Sequence, residues 1–222
     1  MLKAILTSDN SHTFFNEKTG EHYHSTFGAI TESEHIFINA GLDFRARKLS
    51  EINILEVGFG TGLNALLACK YAVTNNIRIN YFSLEAFPIQ QEEAILLNYP
   101  LLLEFSKDDF RKMHENTEDK IVINDHFTLG KKFAKLETLK LPENEFDVVF
   151  FDAFSPEVQP ELWTEEIFEM IFKSMKPNGV LTTYSCKGIV KRALKFAGFK
   201  IEKIPGPPGK REFLRAVLKT KS

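Results

Sequence analysis

Three groups of residues in this chain have the types and spacings that chemistry requires. Glu56-Val57-Gly58-Phe59-Gly60-Thr61-Gly62 follows an apolar run and opens a helical pattern. Glycines at a strand-to-helix turn let the backbone approach a ligand, and the helix N-terminus offers free N–H groups to an anion. The loop therefore suits a nucleotide-like cofactor carrying a carboxylate or phosphate. A dinucleotide fold would read G-x-G-x-x-G; this loop reads E-x-G-x-G-x-G. A turn used only for tight packing would use the same glycines, but the strand before and the helix after argue for a ligand. Glu85, in YFSLEAFP, lies 23 residues beyond Gly62, where a nucleoside-binding fold places a carboxylate for the ribose hydroxyls. Asp152 ends the run FDVVFF, and ligands of parallel sheets sit outside the carboxyl ends of the strands. A carboxylate there can orient an amine or take its proton, and Phe154 beside it offers an aromatic face to a base. An Asp that merely caps the following loop is the plain alternative.

Other reactive side chains read more quietly. His22, Tyr23 and His24 lie near His12 and His35 in sequence, but no spacing matches a metal site, and no metal is expected. His22 and His24 alternate on a predicted strand, one face of which could reach the cleft. Cys69 falls on the apolar face of a predicted helix, and Cys186 has no base beside it. Two cysteines make no disulfide framework and fit a reducing, cytoplasmic setting. The chain has no signal-peptide core and no run of about 18 apolar residues, so no membrane partner is expected.

The formal net charge of −2 hides a split: from Ser185 onward eleven Lys/Arg face two acids. These are Lys187, Lys191, Arg192, Lys195, Lys200, Lys203, Lys210, Arg211, Arg215, Lys219 and Lys221, with Phe196, Phe199 and Phe213 among them. On one face they would form a nucleic-acid footprint. Spread over solvated surfaces they would not.

The elements that must position these groups follow from periodicity. Turn signals at residues 9–11 and 18–20 predict a short β-hairpin, followed by a helix near 26–40. Residues 1–50 thus read as an N-terminal extension packed on a core of 51–222. Five strand-helix alternations follow: INILEV and LNALLACKYAV, INYFSLEA and QQEEAILLNY, IVINDHFTL and KKFAKLETL, FDVVFFDA and ELWTEEIFEMIFKSM, GVLTTYS and IVKRALKFA. Such a series implies an α/β fold with a parallel sheet. FKIEKI and REFLRAVLK, joined by PGPPGK, predict an antiparallel hairpin on its edge.

The glycine loop resembles the first motif of class I S-adenosylmethionine-dependent methyltransferases. Together with SHTFFNEKTGEHYHSTFGAITESEHIFINAGL, FFDAFSPEVQPELWTEEIF, TTYSCKGIVKRALKFAGF and GPPGKREFLRA, it resembles the tRNA 5-methylaminomethyl-2-thiouridine methyltransferase family, which comprises MnmD and the methyltransferase half of the bifunctional MnmC. The resemblance implies a Rossmann-like class I fold with a seven-stranded, mostly parallel sheet and a terminal antiparallel hairpin. It also implies methyl transfer from S-adenosylmethionine to the amine of 5-aminomethyl-2-thiouridine at the tRNA wobble position. It puts the cofactor on Glu56, Gly58, Phe59, Gly60, Thr61, Gly62, Asn64 and Glu85, and the catalytic acid on Asp152. Substrate or tRNA contacts fall on Tyr23, Phe154, Lys187, Lys210 and Arg211. One departure stands out: Gly130-Lys131 occupies the turn where an Asp for the adenine amine is expected, leaving that role to Asp125 or a backbone carbonyl. No flavin is expected, because the chain ends at Ser222 without an oxidase half. The rival readings are a small-amine methyltransferase or aminopropyltransferase of the same fold, neither needing the basic segment, and an RNA- or cofactor-binding module without chemistry, against which Glu56, Glu85 and Asp152 argue.

Overall fold

The computed structural model describes residues 1–47, 49–115 and 117–218; Lys219 and Lys221 of the basic segment lie outside the described residues. Turn chemistry shapes the first part of the chain. β1 (Leu2–Leu6), β2 (His12–Asn16) and the two-residue β3 (Glu21–His22) form an antiparallel sheet. Its first turn closes with Thr7 N–H on Ser11 O at 2.8 Å. Its second turns at Gly20, whose φ of +71° suits a residue without Cβ. Helical residues follow as α1 (Ala29–Ser33), a wider π-helical stretch Glu34–Asp43, and α2 (Phe44–Ala46). Ile36, Phe37 and Leu42 of this stretch are buried in the same cluster as the central strands, so residues 1–50 share their core with the rest of the chain.

The larger sheet grows from β4 (Glu51–Val57), which leads through the glycine loop into α3 (Leu63–Asn75) and β5 (Arg78–Leu84). The second predicted helix, QQEEAILLNY, forms only the short α4 (Gln91–Ala94) and ends where α5 (Tyr99–Leu102) begins, with α6 (Lys107–Met113) following beyond it. Pro100 starts a fresh helix there, and Asn98 is tied to the N-terminal sheet, accepting from His12 N–H at 2.8 Å and donating to Asn10 O at 2.7 Å. The third unit also departs from expectation. IVINDHFTL is a hairpin of β6 (Ile121–Asn124) and β7 (Phe127–Lys132), turned by Asn124 Oδ1 accepting from His126 N–H. β7 alternates buried and half-buried residues to its end at Lys132, so KK belongs to a strand, and only one 3-10 turn (Leu136–Thr138) follows it.

β8 (Phe146–Phe151), α7 (Glu165–Ser174), β9 (Met175–Thr183), α8 (Gly188–Phe196), β10 (Lys200–Pro205) and β11 (Glu212–Val217) complete the chain. α7 is capped by the Thr164 hydroxyl. The sheet has eight strands in the order β10-β11-β9-β8-β4-β5-β7-β6. The five inner strands β9, β8, β4, β5 and β7 are parallel, and the β6–β7 and β10–β11 pairings are antiparallel. The count exceeds the expected seven because the third strand segment is two strands. From β4 the chain moves to β5 on one side and later returns to β8 on the other. The topological switch point therefore lies between β4 and β8, where ligands of such sheets bind.

Candidate active site

At that switch point two backbone turns touch. Gly58 N–H donates to Leu84 O at 2.9 Å, and Asp152 N–H donates to Val57 O at 2.9 Å, locking the ends of β4, β5 and β8 together. Gly58 has φ +93°, and a Cβ on it would fall 2.6 Å from Asp152 O. A Cβ on Gly60 would meet the Tyr23 ring at 3.0 Å, and one on Gly62 the His114 ring at 2.8 Å. The loop is thus a close-fitting bare backbone, which no other residue type could trace.

Above it opens a cavity of about 1020 Å³, lined by the tips of β4, β5 and β8, the N-terminal sheet, the 134–137 loop, Tyr184 and Lys210. Of the residues expected at the site, Tyr23, Gly58, Phe59, Gly60, Thr61, Glu85, Asp152, Phe154 and Lys210 line this cavity. Glu56, Gly62 and Asn64 are not among its walls but stand behind the loop. Glu56 is fully buried. Its Oε2 accepts from Ser83 Oγ at 2.7 Å, while Oε1 has no hydrogen-bond partner. Burial, reinforced by Asp152, holds its carboxyl well above the ordinary range. Glu85 accepts from Gly60 N–H at 2.9 Å and Phe87 N–H at 2.7 Å, which aims its carboxylate over the loop.

Asp152 accepts from Asn64 Nδ2 at 2.9 Å. Burial and then the charge of Glu32 push its carboxyl up to about 7, against the opposing pull of Asn64 and Lys210. A carboxylate poised there exchanges protons near neutrality. Beside it the Tyr23 and Phe154 rings meet edge to face with centroids 5.1 Å apart, forming an aromatic wall. The N-terminal sheet is fastened over this end by Glu21, which accepts from Ser155 N–H at 3.2 Å and from the Ser155 hydroxyl.

Glu32, Glu21, Tyr184 and His114 belong to this region without any sequence signal of their own. An acid in the first turn of a helix, such as Glu32, is ordinary. His114 is buried against Phe59 and Gly62, and desolvation lowers it to about 4. His24, also lowered to about 4 by burial, and His22 line the cavity wall. No group of three or more His, Cys, Asp or Glu side chains among the described residues could hold a metal ion. Cys69 is buried on α3 and pushed up to about 12 by burial, and Cys186 is half-buried.

Two expectations about the adenine end are corrected. Lys131 is buried, and its ammonium donates to Met113 O at 2.7 Å and to Glu115 O, tying α6 to β7 instead of facing the cavity. Asp125 sits in the β6–β7 turn, before β7 begins, at the end of that strand away from the cavity. The wall beside the end of β7 is instead Ala134, Lys135, Leu136 and Glu137.

The basic segment is less open than its composition implies. Lys187 pairs with Glu157, Lys203 with Glu212, Arg215 with Glu202 and Lys210 with Glu32. Lys187 and Arg211 are not among the cavity walls, and Arg211 is exposed. Arg192 and Lys195 are exposed on α8 with Phe196, and Lys191 is half-buried there. No helix among the described residues is long and apolar enough to cross a membrane.

A glycine-loop turn at the switch point of a mostly parallel sheet, with an acid at the end of the next strand, defines a nucleoside-cofactor protein of the Rossmann-like class. A family profile described as S-adenosyl-L-methionine-dependent methyltransferase matches residues 97–219. The chain belongs to this family, and its cofactor is S-adenosylmethionine. It is 31% identical over 211 residues to the tRNA 5-methylaminomethyl-2-thiouridine biosynthesis bifunctional protein MnmC of Pseudomonas savastanoi pv. phaseolicola, covering 88% of this chain and 32% of that protein. The MnmC of Leptospira interrogans is 30% identical over 223 residues, 95% of this chain and 34% of its own length. The chain spans about a third of the length of these curated relatives. Among solved structures, MNMC2 from Aquifex aeolicus superposes with a TM-score of 0.79 at 29% identity, covering all of this chain and 72% of that one. Spermidine synthase from Thermotoga maritima, at TM-score 0.55 and 15% identity over 97% of this chain and 71% of that one, shares the fold.

The residues present fit this cofactor. Gly58, Phe59, Gly60 and Thr61 line the cavity, the Glu85 carboxylate stands beside them on Gly60 N–H, where ribose hydroxyls would reach it, and the cavity volume accommodates a nucleoside together with an acceptor.

Proposed function

We propose that this chain methylates the primary amine of 5-aminomethyl-2-thiouridine at the wobble position of tRNA, giving the 5-methylaminomethyl nucleoside. The observation that carries this reading is Asp152. Its carboxylate lines the cavity beside the glycine loop, with the Tyr23 and Phe154 rings at hand for a base. Relatives named for 5-methylaminomethyl-2-thiouridine biosynthesis support the choice of acceptor. A tRNA substrate brings with it a cytoplasmic location.

S-adenosylmethionine supplies an electrophilic methyl group on a sulfonium. Glu85 would accept hydrogen bonds from the ribose hydroxyls, and the N-terminus of α3 would favour the carboxylate of the methionine tail. Asp152 orients the acceptor amine so that its lone pair faces the methyl carbon. The methyl group would pass to nitrogen as the carbon–sulfur bond electrons leave on sulfur, and the Asp152 carboxylate would take the surplus proton from the methylated amine. Positioning supplies most of the acceleration and proton transfer adds to it. Exposed Arg192 and Lys195 on α8 hold phosphates, which gives affinity without sequence choice, while the aromatic wall receives an extruded base. The test is transfer from methyl-labelled S-adenosylmethionine to tRNA from cells lacking this protein, followed by nucleoside analysis. Label in 5-methylaminomethyl-2-thiouridine is expected. Retained cofactor binding with no label in any nucleoside overturns the reading in favour of a small-amine acceptor or a module without chemistry.

A further inference from the structure

The pair Glu32–Lys210 has no part in the steps above, yet it sits in the acceptor end of the cavity. Glu32, on α1, is 7% exposed. Its Oε2 accepts from Ser25 N–H at 2.7 Å, and its Oε1 lies 3.0 Å from Lys210 Nζ. Lys210 comes from the other end of the chain, on the loop between β10 and β11. That loop is closed by Lys210 N–H on Pro207 O at 2.9 Å and Gly206 N–H on Arg211 O at 3.1 Å. At Gly209, φ is +84° and a Cβ would fall 2.2 Å from the Phe27 ring, so the loop docks tightly on the segment leading into α1. The ammonium stands 4.3 Å from the centroid of the Tyr184 ring, and the Tyr184 hydroxyl donates to Ala153 O, the neighbour of Asp152.

At the acceptor end the Lys210 ammonium is claimed by Glu32. Among the described residues Asp152 has Asn64 as its side-chain donor and no ion pair. Burial raises the Glu56 carboxyl behind it well above the ordinary range, and the phenols Tyr81 and Tyr184 are raised by the same cause. His24, which faces the pair from the N-terminal segment, is neutral, and the Glu21 carboxylate is held by two hydrogen bonds from Ser155. Two charged groups act on Asp152 in opposite senses: Glu32 raises it and Lys210 lowers it.

We propose that Glu32 is a positioning residue: by holding the Lys210 ammonium across the Tyr184 ring, it keeps that cation from pairing with Asp152 and leaves the Asp152 carboxylate free for an amine acceptor. The proposal rests on the amine-methylation reading for its purpose, and its geometry is independent of that reading. Glu32→Gln keeps the shape and the Ser25 hydrogen bond but releases Lys210, which then engages Asp152. Lys210→Met leaves Glu32 as an unbalanced negative charge. The double variant removes both fields together.

The test is a carboxyl-carbon NMR titration of the full chain labelled at Asp, without acceptor, with the Asp152 signal assigned by its loss in Asp152→Asn. Relative to wild type, the Asp152 midpoint should fall by about one pH unit or more in E32Q, rise by a similar amount in K210M, and return to the wild-type range in the double variant. Methyl transfer to tRNA should drop about ten-fold in kcat for E32Q with a smaller change in KM, and Glu32→Asp should recover most of it. A midpoint common to all four proteins, or one that falls alike in E32Q and the double variant, overturns the proposal. If the titration cycle holds while wild type transfers no methyl group to any nucleoside, the acceptor reading fails and the counter-ion role of Glu32 stands.

Discussion

A carboxyl group raised to about 7 makes Asp152 the residue on which pH acts. Methyl transfer by wild type should rise as pH passes through 7, because the ionised form receives the amine proton. Asp152→Asn should abolish most of the transfer, by about 100-fold or more, while binding of S-adenosylmethionine measured by calorimetry persists. Stability gives a second readout with a definite sign. The unfolded Asp152 ionises near 3.8, whereas the folded group holds its proton up to about 7. The native state is therefore penalised progressively as pH rises from 4 to 7, and constantly above that. The melting temperature of Asp152→Asn should gain on wild type across that window and level off beyond it. A gain that instead appears on acidification would refute the raised carboxyl. Asp152 and Glu85 were legible as residues of the cavity because each ends an apolar run, and Glu85 also lies 23 residues beyond Gly62. Glu32 was not, since its meaning comes from Lys210, 178 positions away.

At the scale of elements, the glycine loop is where local sequence and tertiary packing agree. Gly58 is required both by its φ of +93° and by the neighbouring backbone, since a Cβ at this position would stand only 2.6 Å from Asp152 O. Gly58→Ala should lower stability by about 2 kcal/mol or more and weaken S-adenosylmethionine binding in the same protein, as followed by chemical denaturation and calorimetry. An alanine variant with unchanged binding would show that the loop does not meet the cofactor. Periodicity served the core strands well, since β4 and β8 are buried on both faces and read as continuous apolar runs. It failed where short segments were settled by distant partners. Asn98 is tied to the N-terminal sheet and breaks the second helix, and the Asn124–His126 turn splits the third strand in two.

For the whole molecule the question is how a chain of net charge −2 would hold the polyanion proposed as its substrate. Ion pairs hold Lys187, Lys203, Lys210 and Arg215; among the described residues, exposed Arg192 and Lys195 share one face of α8, and this is the surface on which the proposed tRNA substrate should place its phosphates. Affinity for tRNA should fall linearly on a log–log plot of binding constant against salt. The double variant Arg192→Ala/Lys195→Ala should flatten that slope by about 2, one for each phosphate that is no longer neutralised. Turnover at saturating tRNA should stay near wild type. An unchanged slope would move the RNA-binding surface to another face.

The family and the cofactor were readable from the sequence itself. A glycine loop, the acid of the next strand and the carboxylate at the end of the fourth predicted strand are each encoded within a few contiguous residues, and their chemistry depends on local backbone geometry. Which side chains share a charge was decided only by the fold. The docking of the β10–β11 loop on α1 puts Lys210 on Glu32, and the register of β7 turns Lys131 inward to the α6 carbonyls. Electrostatic partnership acts over a few ångströms of space, and distance along the chain carries no information about it until the chain has folded.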